Sequence, residues 1–206
     1  MRVRFGEAQR FICMNCYHCL FLLCFALVSV AVPGMAYEAM YERTPVGTVE
    51  IKELPGRLAL ETRTDQSYFE RDNGLFMRLF RYIEANEIAM TVPVEAEEKP
   101  GVMRFFVGGD HGKTPSDSEQ VQVVEMPART VASLGMRGGY NHGNFEKGRT
   151  KLLRWLAEQS DWEAEGEPYV VYWHGPFVPR WMKRSEVHIP VRVAESRAEG
   201  TQSSTP

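Results

Sequence analysis

The sequence predicts an α+β domain in which duplicated ββαββ units form a distorted antiparallel β-barrel flanked by two α-helices. Three observations predict it. Residues 49–57 (VEIKELPGR) are echoed by residues 121–129 (VQVVEMPAR), with Val, Glu, Pro and Arg recurring at a constant offset of 72. Each copy continues through a second strand, an amphipathic helix and two further strands. Helices set to one side of antiparallel strands are the α+β arrangement. Closing eight strands into a barrel protects the sheet edges and leaves a cleft between barrel and helices.

The chain begins with Arg2, Arg4 and Arg10, then the uncharged run Leu20–Val32, then Gly34-Met35-Ala36. Charged, apolar and small-residue regions in that order predict a signal peptide over residues 1–36, cleaved after Ala36. The alternative is an uncleaved N-terminal membrane anchor, for which the run falls short of the roughly 20 residues of a span. All four cysteines (Cys13, Cys16, Cys19 and Cys24) lie in this leader, so the exported domain, residues 37–193, contains neither thiolate nor disulfide. The expected location is the periplasm or the exterior, with no stable membrane insertion after cleavage. Removing Arg2, Arg4, Arg10 and Glu7 leaves 21 basic against 26 acidic side chains, a net charge of −5. A mildly acidic domain without a basic stripe is not built for nucleic acid.

Alternation predicts strands over 49–54 and 58–63, and Leu75, Phe76, Leu79, Phe80 and Ile83 form the apolar stripe of a helix over 74–85. Ile88–Val94 reads as a strand that must bulge or lie at an edge near Pro93, which has no N–H to donate. Further strands are predicted over 102–107, 121–126, 130–136, 169–173 and 186–191. A second helix is predicted over 144–159, with Asn144 as its N-cap. Residues 194–206 are polar and predicted to be disordered.

Residues 74–83 (GLFMRLFRYI), 88–94 (IAMTVPV) and 103–107 (MRFFV) together resemble the SOUL family of haem-binding proteins. That family carries a similar helix, an IAMT-x-PV strand and an M-x-F-x-V strand. Gly175–Pro179 followed by Lys183–Val187 is similar to the family's proline-rich loop and R-R-N-E-V strand. Lys183 and Ser185 depart from that pattern, and only Asn86-Glu87 joins the helix to the Ile88 strand. The resemblance covers about residues 41–193. It implies a barrel with two flanking helices and a non-covalent tetrapyrrole, haem or a relative, held between the first helix and the C-terminal loop for carriage, buffering or sensing.

The residues can be weighed for that ligand directly. A porphyrin needs a flat apolar slot and cations for its propionates. The first helix offers Phe76, Met77 and Phe80 with Arg78 and Arg81, and the loop offers Phe177 and Trp181 with Arg180 and Lys183. The same pattern also describes a helix core with a solvated basic face. Four histidines follow the leader. His111 sits in a polar loop, His142 precedes the second helix and His188 alternates with Val187 and Ile189 on a strand. His174, beside Trp173 in the loop, is the first choice for an axial iron ligand. Asp110, His111 and Ser116 share one loop and make no hydrolase triad, and no constellation requires an enzyme.

Ser185–Val191 (SEVHIPV) is also similar to the terminal strand of GyrI-like effector-binding domains. By that analogy Glu186 would project into a pocket for a cationic small molecule, or act as the acid or base of a hydrolase.

Overall fold

The fold is described from a computed structural model, which covers residues 38–71, 73–109, 114–175 and 177–194. The expected leader, His111 and residues 195–206 of the expected tail lie outside the described residues. The elements run β1 (Glu38–Ala39), β2 (Val49–Leu54), β3 (Arg57–Thr64), α1 (Leu75–Ala85), β4 (Thr91–Val92), β5 (Val94–Glu97) and β6 (Gly101–Phe106). They continue as β7 (Gln122–Met126), β8 (Arg129–Arg137), α2 (His142–Ala157), β9 (Trp162–Ala164), β10 (Tyr169–Tyr172) and β11 (Arg184–Val193). The class is α+β: two helices and a large curled antiparallel sheet that forms a half-barrel.

Eight strands follow the order β2-β8-β11-β10-β5-β6-β3-β7, and β9 pairs with β11. Exchanging β2 with β7, β3 with β8, β5 with β10 and β6 with β11 turns this order into its own reverse. That symmetry is one of strand pairing. The Pro-containing corners at Pro55 and Pro127 do not close hairpins. β2 crosses to pair with β8, and β3 pairs with β7, so each corner carries the chain from one end of the sheet to the other.

One face of the sheet carries the helices. α1 buries Leu75, Leu79 and Ile83 and packs on β3 and β6; α2 buries Phe145, Leu152 and Leu156 and packs on β8 and β11. Period-two residues such as Leu60, Phe105, Leu134, Val187 and Ile189 meet them in one continuous core. α2 begins earlier than its pattern suggests. Asn141, not Asn144, is the N-cap: its side-chain oxygen accepts the Asn144 backbone N–H at 3.0 Å, and Asn144 lies within the first turn.

The Ile88–Val94 run also departs from its reading as one strand. Ile88 is buried outside any strand, and Pro93 divides the remainder into β4 and β5. β4 pairs in parallel with β1, whereas β5 pairs with β6 and β10 in the main sheet. The missing N–H of Pro93 falls where the chain passes from one sheet to the other.

The other face is the inside of the curl, as one ion pair demonstrates. Arg129 on β8 reaches Glu95 on β5 at 2.8 Å, although β11 and β10 lie between them in the sheet. Three strand spacings of about 4.8 Å would hold those residues well over 10 Å apart on a flat surface. Only a strongly curled sheet brings them together.

Candidate functional site

The inner face is lined by side chains that alternation alone would assign to solvent. Arg57, Glu61, Glu95, Arg104, Glu186 and His188 are all buried there, among Phe106, Tyr169, Val171 and Trp173. Burying so much charge requires pairing. Glu95 lies between Arg57 at 2.5 Å and Arg129 at 2.8 Å. Glu61 accepts from Arg104 and from Arg63, each at 2.6 Å, and Arg104 also reaches Glu97. The Arg57 guanidinium lies over the Phe106 ring at 4.2 Å, and that of Arg129 over Tyr169 at 4.6 Å.

Glu186 is the centre of a second cluster. Its Oε1 accepts from the Thr44 backbone N–H at 2.7 Å and the Trp173 indole N–H at 2.8 Å. Its Oε2 meets His188 Nε2 at 2.6 Å, Ser133 Oγ at 3.0 Å and Lys52 Nζ at 3.2 Å. Burial raises the carboxyl pKa, but the His188 contact, the Lys52 charge and the Thr44 N–H outweigh it and hold the group down to about 2. Burial also lowers the pKa of His188. The imidazole is therefore assigned as neutral, with Nε2–H donating to Glu186 and Nδ1 accepting the Tyr169 hydroxyl at 3.1 Å. A carboxylate with every acceptor position engaged and a pKa far from neutrality is an anchor. It is poorly matched to general-base work near pH 7.

The segment that reaches Glu186 packs against β8, with Val46 bridged to Gly135. Gly135 permits its approach: a β-carbon there would lie 2.2 Å from the Pro45 carbonyl oxygen and 2.5 Å from that of Thr44. Beyond Thr44, Tyr41 packs edge-on against Trp173 at 5.5 Å, with Lys52 and Arg57 near its ring faces. Its buried hydroxyl has no hydrogen-bond partner among the described residues.

The residues proposed from sequence for a tetrapyrrole lie elsewhere. On α1, Phe76 stacks on Phe80 at 5.9 Å and meets Phe105 edge-on at 5.5 Å, so both rings are half core and half surface. Met77 is 46% exposed, and Arg81 is exposed. In the loop between β10 and β11, Phe177 is 98% exposed and Trp181 72% exposed. Arg180 is exposed, with its guanidinium against Gly139 ahead of α2. His174 is tied into the loop base: its backbone N–H donates to the Tyr140 hydroxyl, and its Nδ1 accepts the Arg184 N–H at 2.9 Å. Burial and the nearby Arg43, Arg184 and Lys183 charges lower its pKa. With Nδ1 accepting a proton contact, the neutral ring carries its hydrogen on Nε2.

Residues 32–190 match the SOUL heme-binding protein family. The chain belongs to that family. No curated protein sequence matches it. Among solved structures, this SOUL domain is similar to the EcmrR C-terminal domain, at 15% identity and TM-score 0.53 over 71% of this chain and 98% of that one. It is similar to EcmrR in a complex with DNA, at 16% identity and TM-score 0.54 over 71% of this chain, and spans 58% of that longer protein. An uncharacterized conserved protein from Listeria innocua matches at 10% identity and TM-score 0.51, over 72% of this chain and 94% of that one. These are likenesses of fold. Family membership supports haem or a related tetrapyrrole as the ligand class.

Proposed function

We propose that the chain binds haem or a related tetrapyrrole on the surface offered by α1 and the loop 174–183, for carriage, buffering or sensing. One observation carries the reading: Phe177, Trp181 and Met182 stand 98%, 72% and 54% exposed beside the exposed Arg180. Large apolar side chains left in water next to a cation suit a flat, apolar ligand with acidic edges. Covering one such aromatic contributes roughly 1.5–3 kcal/mol. Phe76 and Phe80 supply a second apolar surface, and Arg81 a second cation, on α1. A bound haem would bring iron chemistry; the chain's own residues cover its faces and meet its carboxylates. His174, whose Nδ1 is already engaged, serves in this reading to hold the loop.

Arg81→Ala and Arg180→Ala should each weaken haem by about ten- to hundredfold, the loss of one charge-assisted contact worth roughly 1.5–3 kcal/mol. Both side chains are exposed, so the melting temperature should hardly move. A Soret titration of each variant checks this, and unchanged affinity in both would remove the site from consideration. The GyrI-like alternative gains no support from Glu186, whose oxygens are engaged within the chain. Export is part of the same proposal: the mature protein starts at Tyr37. N-terminal sequencing of the protein from its native compartment tests that, and a product retaining Met1 would overturn it.

A further inference from the structure

The first turns of α2 and the turn between β5 and β6 bring three metal-ligating side chains together, apart from α1 and the loop 174–183. His142 opens α2 and Glu146 follows one turn later, so the two share a helix face. Glu98 comes from the turn after β5. His142 Nε2 lies 2.9 Å from Glu98 Oε1 and 3.8 Å from Glu146 Oε1, and one ligand atom from each of the three lies within 4.8 Å of the others. A tetrahedral zinc ion, with bonds of about 2.0–2.2 Å, sets its ligand atoms about 3.3–3.6 Å apart. Side-chain rotations that move these atoms by about an ångström would close the triad on one ion.

The scaffold holds the two parts against each other. The Glu98 carbonyl accepts the Tyr68 N–H at 2.8 Å, and the Gln66 carbonyl accepts the Gly101 N–H at 2.9 Å. Those bonds tie the turn that carries Glu98 to the segment after β3. From that segment Phe69 packs its ring on the His142 imidazole at 5.2 Å and on Phe145 of α2 at 5.3 Å. The imidazole edge is thereby set toward the carboxylates. Arg149 donates to Glu146 Oε1 at 3.2 Å, the kind of outer contact that ligating carboxylates keep.

A simple ion pair does not account for two acids at one ring nitrogen. Nε2 carries either a hydrogen or a lone pair. A hydrogen serves Glu98 and leaves Glu146, at 3.8 Å, without a bond from the ring. A metal on the lone pair engages both carboxylates at once. The His142 side chain is 54% exposed, so Nδ1 can then turn the ring's hydrogen toward water.

We infer that Glu98, His142 and Glu146 bind a divalent transition-metal ion, with zinc the simplest fit and water completing a four-coordinate shell. A nitrogen among the ligands selects against magnesium and calcium, which take oxygen alone. The site does not rest on the tetrapyrrole reading.

Isothermal titration with zinc chloride of the tag-free chain from Tyr37 onward, which holds every described residue and no cysteine, tests the assignment. Zinc should bind saturably at one equivalent and raise the melting temperature. Magnesium or calcium in large excess should not displace it. His142→Ala should abolish both effects, and Glu98→Gln and Glu146→Gln should each weaken binding by about tenfold or more. All three side chains are partly exposed, so without zinc the variants should melt close to the parent. Were His142→Ala to misfold, the two glutamine variants, which keep side-chain size, decide alone. His142→Ala should leave the Soret titration unchanged and Arg81→Ala should leave zinc affinity unchanged, so the failure of either site is read separately. Lack of saturable zinc binding would overturn the inference. So would displacement by magnesium or calcium, or parental affinity in folded His142→Ala or in both glutamine variants.

Discussion

Glu186→Ala is expected to lower stability by about 3–5 kcal/mol, because it strands Lys52, the Thr44 N–H and the Trp173 N–H in a buried site that lost their common acceptor. Urea denaturation at pH 7 reads this as a lower midpoint, and a midpoint within error of the parent would refute it. The pH dependence gives a second check. The carboxyl titrates near 2 when folded, against 4.5 for an unperturbed group. Its stabilising effect is therefore complete above about pH 4.5 and is lost as the pH falls from there toward 2. The parent should lose stability through that window, and Glu186→Gln should lose much less. His188, held below its usual 6.5, adds a separate loss that begins near that pH.

Replacing Glu95 alone should be nearly as damaging, again by about 3–5 kcal/mol, because Arg57 and Arg129 would keep their charges with no counter-ion. The informative comparison is the triple variant Arg57→Met, Glu95→Leu, Arg129→Met. Desolvating three charges opposes most of what their attraction returns, so the triple variant should recover most of the loss or exceed the parent. Chemical denaturation of both variants decides the matter. A triple variant as unstable as the single one would mean that the ion pairs contribute specific stability beyond their desolvation.

Much of this fold can be read from the sequence because its strands and helices are strongly periodic. The Leu75–Ile83 stripe, the VEIKELPGR echo and the loop at 174–183 all fall in elements of the predicted kind. β9 and β1 escape because two or three residues hold no period. Asn141 escapes because Asn144, three residues on, has the same capping chemistry. The inner face was hidden for a different reason. Alternation tells which residues share a face, but not whether the other face meets water. Arg57, Glu61, Glu95 and Arg104 read as the wet face of an antiparallel sheet until its curl is known. A signal was available in Gly101–Phe106, where both parities are buried and the outward parity mixes Arg104 with Val102 and Phe106. Glu186 was singled out by analogy, but its engagement with Thr44 and Trp173 depends on a chain crossing that local pattern does not encode.

The corners at Pro55 and Pro127 bear on how the chain acquires its shape. Because β2 completes the sheet beside β8, and β7 completes it beside β3, each end of the half-barrel is finished by a strand borrowed from the opposite half of the chain. The central β5–β10 pair spans the halves as well. All three of these seams join residues more than 60 positions apart, so they close large loops before any contact repays the lost chain entropy. Such high contact order places the chain among slow folders, and neither half in isolation holds the partners its outer strands require. The molecule behaves topologically as an exchanged dimer written on a single polypeptide.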